Sequence, residues 1–372
     1  MNTTSSLRKI LLSLIIAVAF AVYPSCACAG EFTLLAVGDV LPHAPWQVFE
    51  PQVSGLMKCA APLFFTADVV VGNLESPLTG RAAATSGGRT AAAPMAAPNG
   101  KLYRTESPDA AQALRDAGFT VLTLAGDHMM DYGPDGLLDT LGALKKAGIV
   151  TAGAGADAAE AYRPGVVDVK GMESVFLSAS DAAPKACAAE AGRPGIASMK
   201  DEAAFIKVVK EARSKRPEAL IVLGLHWGVE ASHAPTARQK ALARKLVDAG
   251  ADLILGHHAH RLQGLEVYKG RPVFYSLGSF LFDTGKPGGL TVAARLTYAD
   301  GKREPSGITL IPVEIGQAGA PRPLDAGEAG YAKALDDLRG LVRPFGLMLD
   351  GDSVVPLPPP AEDEIPEDFE GI

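Results

Sequence analysis

Ala251-Asp252-Leu253-Ile254-Leu255-Gly256-His257-His258-Ala259-His260 is an apolar run of strand length that ends in a glycine and a histidine cluster. The chain has seven histidines, and three of them fall between positions 257 and 260. Neutral imidazole is the commonest side-chain metal ligand. A His-x-His at a strand end aims two ring nitrogens at one point above a sheet. Four other apolar runs end in a similar way. Phe32–Val37 leads into Gly38-Asp39, and Asp68–Val71 into Gly72-Asn73-Leu74-Glu75. Thr120–Ala125 leads into Gly126-Asp127-His128, and Ile221–Leu225 into His226-Trp227-Gly228. Each run is short and rich in Val, Ile and Leu, as in strands of a sheet covered on both faces. Open α/β sheets bind ligands outside the carboxyl ends of their strands. The five runs together therefore predict one metal site along that edge. A plain surface histidine cluster explains the first motif alone, but not the recurrence.

The helices fit the same plan. Ser107-Pro108 is an N-cap and N1 pair, and Gly118 ends the helix that follows. Pro134–Ala147 carries Leu137, Leu138, Leu141 and Leu144, with Gly148 as its stop. Lys200–Lys215 and Thr236–Ala249 are two more helices. Strand–helix alternation predicts an α/β fold with helices packed on sheet faces. Beyond Arg271 the segments Pro272–Leu277, Leu290–Tyr298 and Gly307–Ile315 read as successive strands, which predicts mixed pairing or a second sheet.

The chain ends carry different signals. Arg8 and Lys9 precede the apolar run Ile10–Val22, and Ala27-Cys28-Ala29 precedes Gly30. That is the pattern of a cleaved export signal over residues 1–29, and it predicts a periplasmic or extracellular protein. Residues 30–316 are expected to form the main domain, 317–350 a helical extension, and 351–372 a flexible acidic, Pro-rich tail. The Ala/Gly-rich segment 80–100 reads as a surface loop next to the Asn73/Glu75 motif. Net charge is −7, which argues against nucleic acid as a partner. Cys59 and Cys187 remain after cleavage; export permits a disulfide, and two buried thiols fit equally well.

The motif set resembles that of CapA-type capsule synthesis proteins, a family linked to poly-γ-glutamate capsules and similar to calcineurin-like metallophosphoesterases. The resemblance runs from about Glu31 to Ile315. It is carried by Gly38-Asp39, Gly72-Asn73-Leu74-Glu75-Ser76-Pro77, Gly126-Asp127-His128 with Asp131-Tyr132-Gly133, His226-Trp227-Gly228-Val229-Glu230, Gly256-His257-His258-Ala259-His260 and Tyr275-Ser276-Leu277-Gly278-Ser279-Phe280. Two places depart from the family pattern. Gly126-Asp127-His128 stands for Asn-Asn-His, and Gly278-Ser279-Phe280 for Gly-Asn-Phe.

The resemblance implies a layered sandwich of mixed β-sheets flanked by helices, and a divalent metal site of two ions (Mn, Fe or Zn). Asp39, Asn73, Glu75, Asp127, His226, His258 and His260 are the implied metal residues, with Glu75 as the anionic member of its motif and Asn73 able to orient it. The His-x-His spacing favours His258 over His257. His128 matches a non-ligand histidine suited to protonate a leaving group, with Asp131 as its partner or as a helix N-cap. His43 and His233 read as loop histidines, Trp227 as packing, and Glu230 either as a partner of His226 or as a surface carboxylate. The implied substrate is an anionic polymer, or a small ester or amide, and the implied partners are membrane-bound capsule synthesis components. A general periplasmic phosphoesterase and a non-catalytic assembly subunit remain open as alternatives.

Overall fold

The computed structural model describes residues 30–42, 53–81, 110–283 and 288–358. The signal segment, His43, the Ser107-Pro108 cap, nearly all of the 80–100 loop and the last fourteen residues of the expected tail lie outside them. In chain order the strands are β1 (Phe32–Val40), β2 (Val69–Leu74), β3 (Val121–Thr123), β4 (Val150–Ala152), β5 (Ala154–Gly155) and β6 (Gly165–Val169). There follow β7 (Met172–Ser180), β8 (Gly195–Ile196), β9 (Leu220–His226), β10 (Leu253–His257), β11 (Leu265–Tyr268) and β12 (Arg271–Phe274). The last are β13 (Ser279–Leu281), β14 (Gly289–Tyr298), β15 (Gly307–Ile315), β16 (Pro321–Pro323), β17 (Leu347–Asp350) and β18 (Ser353–Pro356).

One sheet runs β17-β18-β15-β14-β1-β2-β3-β4, with β13 beside β1 and β16 beside β15. A second runs β11-β12-β10-β9-β7-β6. Both are mixed. β1 to β4 pair in parallel, whereas β14 joins β1 antiparallel. β7, β9, β10 and β12 are parallel, with β6 and β11 antiparallel at the edges.

Side-chain alternation divides the apolar residues into three layers. Leu34 and Ala36 of β1, Val71 of β2, Val222 of β9 and Leu255 of β10 meet in a core between the two sheets. Their neighbours Leu35, Val37 and Val70 face outward onto Leu114 and Leu137, which belong to helices Ala110–Asp116 and Gly133–Ala147. On the far side Ile221, Leu223 and Ile254 pack against Phe205 and Leu242, from helices Glu202–Lys215 and Ala237–Asp248. The result is helix, sheet, sheet, helix, the layered sandwich that the sequence predicts. The runs lack polar alternation because each strand is covered twice.

The two sheets meet closely where β9 faces β3. A Cβ on Gly224 of β9 would lie 2.5 Å from Thr123 Cγ2 of β3, so only glycine lets these strand ends meet. Helix Ala237–Asp248 starts in a capping box, with Thr236 accepting from the Gln239 amide and Gln239 reaching back. Near the C-terminus the structure departs from the expected layout. Residues 317–350 hold helix Ala329–Val342 but also β16 and β17, and the expected tail begins with β18, hairpinned to β17. Cys59 and Cys187 are both free thiols. Among the described residues no helix is long and apolar enough to cross a membrane.

Candidate metal centre

The parallel strands of both sheets deliver their carboxyl ends to one place. In the first sheet Asp39 is opposite Asn73, and Asn73 opposite Thr123. In the second His226 is opposite His257. A one-residue bulge in β1 between Ala36 and Asp39 shifts the register and re-aims Asp39. Gly38 sits in this bulge because a Cβ there would lie 2.0 Å from the Gly278 carbonyl oxygen. Glu75 follows β2, its amide bonded to the Val40 carbonyl at 2.9 Å. Asp127 and His128 lie in the turn before helix Gly133–Ala147.

Asp39, Glu75, Asp127, His226 and His257 are all buried, while His258 and His260 keep 13% and 19% of their side chains exposed. His226 Nε2 is 2.9 Å from Asp127 Oδ1 and 3.9 Å from Glu75 Oε1. His258 Nδ1 is 3.7 Å from Asp127 Oδ2. His260 lies 2.9 Å from Asp39 Oδ2 through Nδ1 and 3.6 Å from Glu75 Oε1 through Nε2. Among the described residues, three groups of side chains could hold a metal ion, each with ligand atoms within 4.8 Å of one another: Asp127, His226 and His258; Asp39, Glu75 and His226; and Glu75, Asp127 and His128.

Buried polar atoms normally find hydrogen-bond partners. Glu75 Oε1, His226 Nδ1 and His258 Nδ1 find none. Three orphaned oxygen and nitrogen atoms in one buried cluster fit a divalent cation chemically. The electrostatics fit too. Burial, followed by the neighbouring Asp39 and Asp127 charges, pushes the Glu75 carboxyl well above its usual range. Burial also acts to raise Asp39, but hydrogen bonds from His257 and His260 outweigh it and hold that carboxyl far below the usual range. Burial and then the neighbouring His226 lower His258 to about 4, which keeps its ring neutral, the form that binds metals. His258 and His260 have φ of 86° and 51°, a left-handed backbone that costs about 1–3 kcal/mol per residue. Such strain is typical of side chains held for a function rather than for packing.

The sequence-predicted residues divide by what they touch. Asn73 Nδ2 donates to Asp39 Oδ1 at 3.0 Å and to Glu75 Oε2 at 2.9 Å. Its Oδ1 accepts from Thr123 Oγ1 at 3.2 Å. Its amide thus braces two carboxylates, the orienting place that the resemblance also allows it beside its place in the implied ligand set. His257 Nδ1 lies 3.0 Å from Asp39 Oδ1 and orients that carboxylate, while His258 occupies the cluster. His128 Nδ1 and Asp131 Oδ2 are 2.7 Å apart, and both residues are buried. The helix N-cap at this point is Tyr132, without a side-chain cap bond. Trp227 is fully buried, donates to the Tyr275 carbonyl at 3.0 Å and packs on its ring. Glu230 is exposed, and His233 bonds the Leu262 carbonyl at 3.3 Å. Ser279 Oγ is 3.5 Å from His260 Nδ1. Sequence reasoning missed Thr123, because a threonine closing a strand carries no distinguishing signal.

Residues 33–284 match the family model for the bacterial capsule synthesis protein PGA_cap. The capsule biosynthesis protein CapA of Bacillus anthracis is 32% identical over 297 residues, which cover 79% of this chain and 70% of that protein. The PGA biosynthesis protein CapA of Bacillus subtilis (strain 168) is 36% identical over 252 residues, 67% of this chain and 63% of that protein. A "Probable polyglutamine synthesis accessory protein" of Mycobacterium tuberculosis is 33% identical over 190 residues, about half of each chain. The matched segment spans the strand ends that build the cluster, and the chain belongs to the bacterial capsule synthesis protein PGA_cap family.

Proposed function

We propose that this chain is an exported, metal-dependent hydrolase that serves capsule synthesis by acting on an anionic, glutamate-based polymer. The carrying observation is the cluster of three buried carboxylates and three histidines with three orphaned ligand atoms. The process comes from relatives named for capsule and PGA biosynthesis. Asp127, His226 and His258 would hold one ion; Asp39 and Glu75, with His260 beside them, would hold a second. Bound divalent ions would supply Lewis acidity and lower the pKa of a water toward neutrality.

The chain's own residues do the rest. Asn73 and His257 fix the carboxylates, so the ligand atoms need little rearrangement. Asp131 accepts the Nδ1 proton of His128, which leaves Nε2 to carry a proton to a leaving group.

Export rests on Arg8-Lys9, the run Ile10–Val22 and Ala27-Cys28-Ala29. N-terminal sequencing of the secreted protein should start at or near Gly30; a retained Met1 would refute export. For the activity, the test is metal analysis of the purified mature chain. It is followed by release assays on phosphomonoesters, phosphodiesters and γ-glutamyl peptides with Mn added. Cleavage of γ-glutamyl bonds supports the proposal. Phosphate release alone makes the protein a general phosphoesterase. A chain that loads no metal and cleaves nothing is a non-catalytic assembly subunit.

A further inference from the structure

A cleft of about 520 Å³ opens beside the candidate metal centre. Its size falls in the range of about 300–1,000 Å³ typical of small-ligand sites. His260 and Ser279 are among its lining residues, which joins it to the candidate metal cluster. Leu290, Ile315 and Leu341 give it an apolar wall. Arg261 stands in its lining, directly after His260, with its side chain exposed.

Most arginines that pack near carboxylates in this chain are paired. Arg213 binds Asp252, Arg238 binds Asp181 and Glu202, Arg244 binds Glu266, and Arg322 binds Glu314 and Glu328. Among the described residues no carboxylate pairs with Arg261. The acid in the same cleft, Asp337, is already engaged by Lys333 at 2.6 Å. Arg261 therefore brings an unspent positive charge to a cleft beside three buried carboxylates, in a chain of net charge −7. An anionic substrate approaching that cluster is repelled unless cations meet it. A guanidinium offers a planar fork that matches a carboxylate with two parallel hydrogen bonds. The apolar wall suits a short methylene stem.

We propose that Arg261 recognises a free carboxylate of the substrate, and that the cleft receives a segment of an aliphatic chain bearing such carboxylates. The proposal rests on the hydrolase reading above and names its substrate class: a polymer whose acids remain ionised next to the bond under attack. Arg261 acts as a specificity residue. It is exposed, and among the described residues no hydrogen bond or ion pair joins its side chain to the candidate ligands, so its removal should not disturb metal loading.

The test uses the full mature chain, Arg261→Ala and Arg261→Lys. The probes are γ-linked triglutamate and the same peptide with every α-carboxylate converted to carboxamide. Calorimetry reads binding, and elemental analysis reads metal. The parent should bind the acid form more tightly than the amide form. Arg261→Ala should lose about 10–100-fold in affinity for the acid form, the usual worth of a hydrogen bond to a charged group. It should bind the amide form as the parent does, with unchanged metal content. Arg261→Lys, which keeps the charge without the fork, should recover part of the loss. Equal acid-form affinity in parent and Arg261→Ala overturns the proposal, as does a parent that binds neither peptide. A parent that loads metal but prefers neither peptide overturns the role of Arg261 and leaves the metal reading standing. A metal-free parent that still shows the Arg261-dependent preference does the reverse.

Discussion

At the residue scale, the adjacent histidines His257 and His258 meet different carboxylates, Asp39 and Asp127. Sequence left the pair ambiguous because both follow Gly256, and spacing alone decides only by analogy. Their backbones differ. His257 is the last residue of β10 and points at Asp39, whereas His258 has left the strand with φ of 86° and meets Asp127. His258→Ala should therefore lower the number of ions bound per chain. His257→Ala should keep that number and weaken affinity by about 10–100-fold, the usual cost of losing a group that orients a ligand. Titration of both variants with Mn, followed by elemental analysis, distinguishes them; identical stoichiometry and affinity would remove the distinction. His128 gives the companion prediction. Its Nδ1 is engaged by Asp131 at 2.7 Å, so His128→Asn should retain metal. Turnover of substrates with poor leaving groups should fall by about 10²–10⁴-fold, the usual worth of a positioned acid. Loss of metal in that variant would place His128 among the ligands, in the group it forms with Glu75 and Asp127.

At the element scale, most of the site's scaffold was legible. Five apolar runs ending in Gly, Asp, Asn or His became β1, β2, β3, β9 and β10, with ends shifted by a few residues. They were readable because a doubly covered strand is apolar at nearly every position. The short hairpins were not. β17 and β18 flank Gly351-Asp352, a two-residue turn with Gly351 at φ 61°, and β17 alternates buried and exposed residues. That turn signal was present, but the Pro-rich acidic sequence after it dominated the reading. The bulge in β1 was also illegible, since register shifts depend on a partner strand. It supplies a test. In Gly38→Ala the added methyl must displace the Gly278 carbonyl, 2.0 Å away, so the segment carrying Asp39 moves. The variant should lose about 1–3 kcal/mol of stability, the range for overpacked sites, together with metal affinity. Urea midpoints and Mn titration measure the two effects. Unchanged values for both would mean that the bulge has no part in aiming Asp39.

At the scale of the whole molecule, the architecture places its stability and its chemistry in different regions. Three apolar layers, built mainly of Val, Leu, Ile, Ala and Phe, close between and outside the sheets, whereas the candidate ligands stand at strand ends and in the turns after them. Small zinc domains differ in kind, because their metal supplies the folding energy. Chelation should therefore leave the far-ultraviolet circular dichroism of this protein unchanged while lowering its thermal midpoint. The drop follows from linkage: an ion bound only by the native state stabilises it by about 2.7 kcal/mol when present at 100 times its dissociation constant. Removing the ion also leaves Asp39, Glu75 and Asp127 facing one another with fewer positive charges between them, which adds to the loss. Calorimetric scans of chelated protein, and of protein reloaded with Mn, Fe or Zn, measure the shift. A midpoint indifferent to all three metals would remove the metal centre from the account of this fold. Unfolding on chelation would instead show that the strand ends, and not the layers, hold the sheets together.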